Sequence, residues 1–427
     1  MKEPSLIYLD NASTTLKKPP EVARAVANAI DSFGSVGRGA CAPSLKAGMA
    51  VYEAREKAAH LFGAPSSSQV AFTLNATEAL NMVIDGLLGP QDHAITTAAS
   101  HNSVLRPLYK KQDTGTQLSI LPVAPDGSIN LDELEALFKP QTKLVVVTHA
   151  SNVTGQLYPV ERIARLCHQR GVMLVLDAAQ TAGHLPINMT QSGIDVLVFT
   201  GHKGLLGPQG VGGLCLAQHV EIPAYMVGGS GTHSFDHHHP SALPEHLEAG
   251  TMNAHSIAGF SAALDFIQST GLANIQATER ALAQRFLQGL NTIDGVTVYG
   301  QPPALIPAAA SATPVLAEPP EPPAAPATPD ASDPPNPPNP PNNLGIIALN
   351  VHNLDSAQVA YILSANYSIC TRSGVHCAPL MHQSLGTAQQ GAVRFSLSLF
   401  NTPQEIDTAL EALTDIARHH HPAKERP

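Results

Sequence analysis

The 427-residue chain carries 34 acidic and 24 basic side chains, a net charge of −10, and has no Lys/Arg-rich run, so nucleic-acid binding has little support. No apolar stretch is long enough to span a bilayer, and the charged, proline-containing first ten residues do not match a signal peptide. The five cysteines include no CxxC pair, so we expect a reduced, cytoplasmic enzyme without a bound metal and without a membrane partner.

Seven apolar runs in the first 260 residues are predicted to be β-strands. They are nearly continuous in Val, Leu and Ile, which is typical of strands buried on both faces. In chain order they are QVAFTL (69–74), HAITTAA (93–99), LSILPV (118–123), KLVVVTHA (143–150), VMLVLDAA (172–179), DVLVFTGH (195–202) and GGLCLA (212–217). Helical patterns between these runs predict an α/β fold with a doubly wound, mostly parallel seven-stranded sheet.

From about residue 260, long helical stretches lead to the short strands VTVYG, GIIALNV and VRFSLS, a pattern typical of a smaller α+β domain. We therefore expect four parts: an N-terminal arm that packs with the small domain, a large domain, a small domain in two pieces, and an insertion between those pieces. Their predicted bounds are 1–15, 16–260, 261–301 with 344–427, and 302–343. Sixteen residues of the insertion are Pro, which predicts a disordered segment.

Polar residues follow five of the predicted strands. Because ligands of an open parallel sheet bind beyond the carboxyl ends of its strands, these residues are expected to share one edge. They are Thr77, His101, Asn102, Asn152, Asp177, Gln180, Thr200, His202 and Lys203. Each has an ordinary alternative explanation, such as a helix cap, a structural histidine or a surface lysine. Their order and common edge favour a binding site.

An aspartate and a lysine at two strand ends suggest a site for pyridoxal 5′-phosphate (PLP). Burial would lower the pKa of Lys203, so that its neutral amine can attack an aldehyde, and Asp177 would keep the ring nitrogen protonated. Thr77 at a helix N-terminus suits a phosphate. The other polar groups would complete the site: donors from Thr200 and His202, ring stacking by His101, and hydrogen bonds to the phenolic oxygen from Asn152 and Gln180.

Nine motifs of this sequence resemble those of one known family. They are YLDNASTT (8–15), FTLNATEALN (72–81), HNSVLRPLY (101–109), THASNVTG (148–155), DAAQTAG (177–183), TGHKGLLGPQGVGGL (200–214), EAGTMN (248–253), RSGVHCAPL (372–380) and VRFSLSLFNT (393–402). With these motifs the sequence resembles the cysteine desulfurases, a family of class V aminotransferase-fold PLP enzymes. The resemblance runs from residue 8 to residue 407 and is interrupted only by the Pro-rich insertion.

The resemblance implies fold type I and a homodimer with its active sites at the subunit interface. Lys203 would hold PLP covalently, Ala76 would join the cofactor-binding residues given above, and Thr251 would reach the phosphate in the neighbouring subunit. Arg394 would bind the substrate α-carboxylate, with Asn11 and Arg372 close to the substrate. The sequence departs from the usual pattern at Ser100, where Glu is usual before the stacking histidine, and at Cys41, where His is often found.

Cys377 matches the cysteine that forms a persulfide in this family. It lies in a Gly- and Pro-flanked loop, where exposure is expected, as does Cys41, whereas Cys167 and Cys215 lie in apolar patterns typical of packing. Positive charge from His376 and Arg372 would favour the Cys377 thiolate. The expected reaction converts L-cysteine to L-alanine and leaves sulfur on Cys377 for an acceptor protein or thiol.

Three alternatives remain open from the sequence. A selenocysteine lyase acting on L-selenocysteine would use the same site and depend less on Cys377, and an aminotransferase would need a 2-oxo acid partner. Metal binding could be drawn from the His-rich runs at 233–239 and 418–421. These runs lack the fixed ligand spacing of a zinc site, which favours solvated segments.

Overall fold

The computed structural model describes residues 6–37, 39–232, 234–300 and 343–420. Within these ranges, the strands are β1 Ile7–Tyr8, β2 Val70–Thr73, β3 His93–Thr97, β4 Gln117–Leu121, β5 Thr142–Thr148, β6 Met173–Asp177, β7 Val196–Thr200, β8 Gly212–Leu216, β9 Val296–Tyr299, β10 Ile346–Val351, β11 Ile369–Cys370 and β12 Val393–Ser396. The α-helices are α1 Pro20–Ser32, α2 Ala42–Phe62, α3 Ala76–Leu87, α4 Asn102–Asp113, α5 Leu131–Leu137, α6 Val160–His168, α7 Met189–Ser192, α8 Ala254–Thr270, α9 Leu272–Leu290, α10 Ser356–Tyr367, α11 Pro379–Ser384 and α12 Pro403–His419.

The seven predicted strands form one sheet in the order β2-β8-β7-β6-β5-β3-β4. The five strands β3 to β7 are mutually parallel, and β8 is antiparallel to both of its neighbours, β7 and β2. This confirms the expected doubly wound, mostly parallel sheet. The return strand β8 matters for the site, because it places the segment 201–211 as a loop at the carboxyl end of β7.

The continuous apolar strands are explained by helices on both faces of this sheet. Successive residues of β7 alternate between two hydrophobic cores: Val196 and Val198 pack on the side of α3, and Leu197 and Phe199 pack on the side of α2 and α8. Side chains of a strand point to opposite faces in turn, so a strand covered on both faces needs an apolar residue at each position.

A second sheet of three antiparallel strands, in the order β12-β10-β9, packs against α9, α10 and α12. The start of the chain is attached to this unit, because β1 pairs in parallel with β11 and Asp10 forms a bridge with Ser396. Ile7 and Leu9 are buried in the same core. Residues 6–10 are thus far along the chain from the partners they contact.

Helix α8 spans the boundary predicted at residues 260 and 261. Its buried apolar side chains, from Ala254 to Ile267, belong to the core of the large sheet, and it packs against α1 and α2. The sequence pattern could not separate it from α9, because both are long helices that follow each other directly. We therefore propose that the boundary between the large and small domains lies at Gly271, between α8 and α9.

The Pro-rich insertion predicted at 302–343 lies outside the described residues except for Asn343. Asn343 is part of the folded structure: it forms a bridge with Gln156, and its Nδ2 donates to the Thr154 carbonyl. Gly300, the last described residue before the insertion, lies against the Thr154 side chain. Gly300 and Asn343, the described residues on either side of 301–342, therefore lie at the same turn. In the part of the chain that the structure describes, no helix is long and apolar enough to cross a bilayer.

Candidate active site

A cavity lies at the carboxyl ends of the central strands of the large sheet. It is lined by residues from the ends of three strands, β5, β6 and β7, from the starts of α3 and α4, and from the N-terminal segment. Nine of the residues proposed from the sequence line it: Ala76, Thr77, His101, Asn152, Asp177, Gln180, Thr200, His202 and Lys203. Because parallel strands end at the same edge of a sheet, residues separated by more than 120 positions line one cavity.

Lys203 follows β7 in a loop that packs so closely against residues 183 and 184 that glycine is required at positions 183 and 204. A Cβ at Gly204 would collide with the His184 ring, and a Cβ at Gly183 would collide with the Gly204 carbonyl. Burial lowers the pKa of Lys203 to about 8, against the opposing effect of the Asp177 carboxylate. A lysine in this state supplies a substantial fraction of neutral, nucleophilic amine near neutral pH.

Asp177 is the last residue of β6 and is 4% exposed. Its Oδ1 accepts a hydrogen bond of 3.0 Å from the Ala179 N–H. Burial raises the pKa of Asp177, and the Ala179 N–H and the charge of Lys203 oppose this shift. The site therefore holds one acid and one amine that stabilise each other in a medium of low polarity.

The N-terminus of α3 opens into the same cavity. Asn75 caps this helix by accepting from the Glu78 N–H at 3.0 Å, and Thr77 Oγ1 lies 2.8 Å from Ser103 Oγ. Gly212 of β8 allows the approach of this turn, since a Cβ there would lie 2.6 Å from the Asn75 Cα. A helix N-terminus with a neighbouring hydroxyl is suited to an anionic group such as a phosphate.

Several buried polar atoms around the cavity have no hydrogen-bond partner. Among the described side chains with such atoms are Asn152 with Oδ1, Thr200 with Oγ1, His202 with Nδ1 and Arg394 with Nε. An unpaired buried polar atom costs about 1–3 kcal/mol, so native proteins keep few of them. Their concentration here fits a polar ligand with both donors and acceptors, as PLP with its phosphate, phenolic oxygen and ring nitrogen would be.

His101 caps α4 and is neutral. Its Nδ1 accepts from the Ser103 N–H at 3.0 Å, which leaves Nε2 to carry the proton. Burial, followed by the charges of Lys203 and Arg394, lowers its pKa to about 4. The preceding Ser100 is buried, and its hydroxyl lies 2.8 Å from Thr96 Oγ1, so it serves the sheet and does not line the cavity.

Arg394 on β12 brings the small domain to the cavity. It is 2% exposed; its Nη1 donates to the Asn152 carbonyl at 2.9 Å, and its Nη2 donates to Asp10 Oδ1 at 2.9 Å and to Ser13 Oγ at 2.7 Å. Arg372 is exposed and donates to the same Ser13 Oγ at 3.3 Å. The guanidinium of Arg394 is thus fixed by three groups, with Nε left unpaired.

Asn11 is not among the residues that line the cavity. Its Nδ2 donates to the carbonyls of Ser396, at 2.9 Å, and Tyr8, at 3.3 Å, so its amide fastens the N-terminal segment to β12. Its neighbours Asp10 and Ser13, which the sequence patterns did not indicate, contact Arg394. Their only signal was membership in the same motif, YLDNASTT.

Thr251 lies in a different cavity from Lys203. This second cavity is lined by the segment 247–253, by Leu74 and Glu78 near the start of α3, and by Tyr225 and Met226. Within one chain, Thr251 does not line the cavity of Lys203.

Cys377 is exposed in a loop whose backbone is attached to the cavity wall. Its carbonyl accepts from the Asn102 N–H at 2.7 Å, and the carbonyl of His376 accepts from Asn152 Nδ2 at 2.7 Å. His376 and Cys377 have φ angles of 50° and 55°, in the left-handed region that non-glycine residues rarely adopt. Cys41 is also exposed, and Cys167 and Cys215 are buried.

His376 does not supply the positive charge expected beside Cys377. It is buried against His382, with 3.1 Å between His376 Nδ1 and His382 Nε2. Burial, followed by the charge of Arg394, lowers its pKa to about 3, so it is neutral at physiological pH. The sequence could not reveal this, because the burial arises from the fold. Arg372 remains as the cation on this loop.

The model of the aminotransferase class-V family matches residues 7–313 and 335–409 of the chain. A probable cysteine desulfurase of Methanothermobacter thermautotrophicus is 32% identical over 418 residues, covering 96% of this chain and 94% of the relative. The chain belongs to the cysteine desulfurase family of class V aminotransferases. A cysteine desulfurase of Cronobacter sakazakii is 30% identical over 97% of this chain and 94% of its own length.

Solved cysteine desulfurases share the fold of this chain. The apo cysteine desulfurase of Thermococcus onnurineus has a TM-score of 0.82 and 30% identity, with 97% of this chain and 95% of that chain covered. The cysteine desulfurase CsdA of Escherichia coli has a TM-score of 0.80 and 27% identity, with the same coverage. Fold type I, expected from the resemblance, is therefore confirmed. The chain is an enzyme of a PLP-dependent family.

Of the described residues, no group of three or more His, Cys, Asp or Glu side chains is arranged to hold a metal ion. The loop that contains His237, His238 and His239 is part of this search, whereas His233 and residues 421–427 lie outside the description.

Proposed function

We propose that this chain is a PLP-dependent cysteine desulfurase that converts L-cysteine to L-alanine and holds the released sulfur as a persulfide on Cys377. The observation that carries the proposal is one cavity that holds the buried amine of Lys203 and the buried Asp177 and is bordered by the backbone of the Cys377 loop. The family supports the reaction class, and the unpaired polar atoms of the cavity support the cofactor.

PLP, when bound, supplies an electron sink for the negative charge that develops at the substrate Cα. Lys203 would hold the cofactor covalently, and Asp177 would keep a proton on the ring nitrogen. The N-terminus of α3 with Thr77 would bind the phosphate, together with Thr200 and His202. His101 would lie on the ring, and Asn152 and Gln180 would bind its phenolic oxygen. Lys203→Ala should abolish the visible absorbance band of bound PLP; a band that survives would remove Lys203 from this role.

Arg394 would bind the α-carboxylate of the substrate. Its guanidinium is oriented by Asp10, Ser13 and the Asn152 carbonyl, and its unpaired Nε can donate to a carboxylate. Arg372, on the exposed side of Ser13, adds a second cation. Asp10 and Ser13, which contact Arg394, would be the N-terminal groups that shape this carboxylate site.

Two residues of this chain, Lys203 and Cys377, would react directly with the substrate. The neutral amine of Lys203, with its pKa near 8, would take the proton from Cα and return a proton to the product. The Cys377 thiolate would attack the substrate sulfur, so that the S–S bond of the persulfide forms as the Cβ–S bond breaks. The electron pair of the broken bond goes to Cβ, which takes up the proton that Cys377 lost on forming the thiolate, and alanine leaves. The exposure of Cys377 supports the last step, transfer of sulfur to an acceptor protein or thiol.

A second subunit would complete the site. The cavity that holds Thr251 is bordered by the exposed apolar side chains Leu74, Tyr225 and Met226. Such a surface favours contact with a second copy of this chain, which would bury these side chains. Mixing inactive Lys203→Ala and Thr251→Ala subunits tests this homodimer. If Thr251 serves the neighbouring site, hybrid dimers contain one intact site and regain activity. If the mixture forms dimers and stays inactive, Thr251 acts within its own chain.

The purified protein incubated with L-cysteine and a reductant tests the activity itself. We expect alanine and sulfide in equal amounts. Parallel reactions with L-selenocysteine and with L-alanine plus a 2-oxo acid test the lyase and aminotransferase alternatives. Turnover only in the aminotransferase reaction would contradict the proposal.

A further inference from the structure

Four hydrogen-bond donors converge on the carbonyl oxygen of His202, the group that joins His202 to Lys203. They are the Thr15 N–H at 3.2 Å, Thr15 Oγ1 at 3.0 Å, Thr14 Oγ1 at 3.3 Å and Lys18 Nζ at 2.7 Å. A carbonyl oxygen has two lone pairs, so this one is surrounded by more donors than it can fully accept. The shortest of the four contacts comes from the Lys18 ammonium.

The lysine loop, residues 201–211 with Lys203, needs hydrogen bonds from other segments of the chain to fix its backbone. Gly201 precedes the His202–Lys203 pair and Gly204 follows it, and glycine restricts the backbone less than any other residue. The next carbonyl is held by the same segment, because Thr15 Oγ1 also lies 3.1 Å from the Lys203 carbonyl oxygen. Both carbonyls that flank the Lys203 Cα are therefore fixed by residues about 190 positions away.

Lys18 is partly buried without an acidic partner. Among the ion pairs of the described residues, none includes Lys18, and its ammonium contacts only the His202 carbonyl and the Thr15 hydroxyl. Burial lowers the pKa of Lys18 to about 8. Burying a cation without a counter-charge costs stability, whereas its neighbour Lys17 stays exposed. Burial of the ammonium thus destabilises the protein at Lys18 and not at Lys17, which indicates that Lys18 has a function that offsets this cost.

We propose that Lys18 is a positioning residue that fixes the backbone of Lys203 and so aims its amine into the cavity. The proposal rests on the function proposed above for Lys203. The N-terminal segment then has two separate functions. Asp10 and Ser13 orient Arg394. The second function, fixing the loop that carries Lys203, belongs to Thr14, Thr15 and Lys18.

Lys18→Met tests the proposal, with Lys17→Met as the matched control. We expect kcat for L-cysteine to fall about 10- to 100-fold in Lys18→Met, because small displacements of a reacting group have effects of that size. KM should change less than about 3-fold, since Arg394 keeps its own partners. Lys17→Met should match the parent, and Lys18→Arg should recover most of the lost kcat, because it retains a cationic donor.

Hydrogen exchange of the full-length PLP-bound protein gives a readout that does not depend on turnover. Backbone amides of residues 201–206 should exchange faster in Lys18→Met than in Lys17→Met, with the rest of the large sheet unchanged. If Lys18→Met does not fold, Thr15→Val removes the hydroxyl that contacts both carbonyls and should show the same local change. Equal exchange and equal kcat in Lys18→Met and Lys17→Met would overturn the proposal, as would a rise in KM at unchanged kcat. If the parent itself has no desulfurase activity, the proposed function fails, and the exchange comparison still decides the role of Lys18.

Discussion

The buried carboxylate of Asp177 and the buried amine of Lys203 stabilise each other's charge within one cavity. Asp177 ends β6 and Lys203 follows β7, the adjacent parallel strand. Burial raises the pKa of Asp177 and lowers that of Lys203 to about 8, and in each case the charge of the other residue opposes the shift. Substitution of either residue should therefore alter the chemistry of the site more than the fold.

We predict that Asp177→Asn keeps the fold and lowers kcat for L-cysteine by at least about 100-fold, because the ring nitrogen would lose its charge partner. Turnover and melting temperature, measured side by side, check this prediction. The melting temperature should change little, since the amide can still accept from the Ala179 N–H. Near-normal turnover would remove Asp177 from its proposed role.

The buried pair of His184 and Glu279 predicts a pH-dependent contribution to stability. His184 Nδ1 lies 2.7 Å from Glu279 Oε2 on α9, and the His184 ring packs on Gly204 beside Lys203. Burial lowers the pKa of His184, but the charge of Glu279 and their hydrogen bond outweigh it, so the net shift is upward. The stabilisation is thus fully present below the unfolded-state pKa of about 6.5 and is lost as pH rises through the higher folded-state pKa.

His184→Gln should therefore lower the free energy of unfolding by roughly 3 kcal/mol near pH 6, and by less at higher pH. Urea unfolding of parent and variant at about pH 6 and about pH 9 measures the difference. A destabilisation that is the same at both pH values would show that His184 stabilises the protein through packing and not through its charge.

Deleting residues 304–341 should leave the melting temperature and the turnover nearly unchanged. Gly300 and Asn343 both lie against the turn at Thr154 and Gly155, and β9 and β10 are antiparallel neighbours. A short linker can therefore join the two strands at little cost in loop entropy. Thermal unfolding and the L-cysteine assay check this, and a large fall in melting temperature would contradict it.

Patterns along the chain predicted the large sheet and the wall of the cavity that belongs to it. The strand ends that supply Asn152, Asp177 and Lys203 follow apolar runs, and the geometry of parallel strands determines that such ends meet. The prediction needs only local patterns and one rule of topology. This is why residues of the large domain were placed together from sequence.

Contacts between distant segments could not be predicted in this way. Asp10, Ser13 and Lys18 act through partners about 190 to 380 positions away, and no periodic pattern marks them. The family resemblance alone places Asn11 near the substrate; in this structure its amide binds backbone carbonyls, and its contact with the substrate stays a prediction. The charge expected on His376 failed for a related reason, since its burial is a property of the fold.

The loop cysteine carries the central claim, since a persulfide mechanism needs a thiolate at the substrate sulfur whereas cofactor and substrate binding do not. The Cys377→Ala variant, incubated with L-cysteine and a reductant and assayed for alanine and sulfide, tests it most directly. We expect the variant to bind PLP and L-cysteine like the parent and to release neither product, while turnover of L-selenocysteine partly survives, because that leaving group needs less nucleophilic help. Cys41→Ala, which removes the other exposed thiol, should keep most desulfurase activity. Turnover of L-cysteine by Cys377→Ala at close to the parent rate would contradict the account.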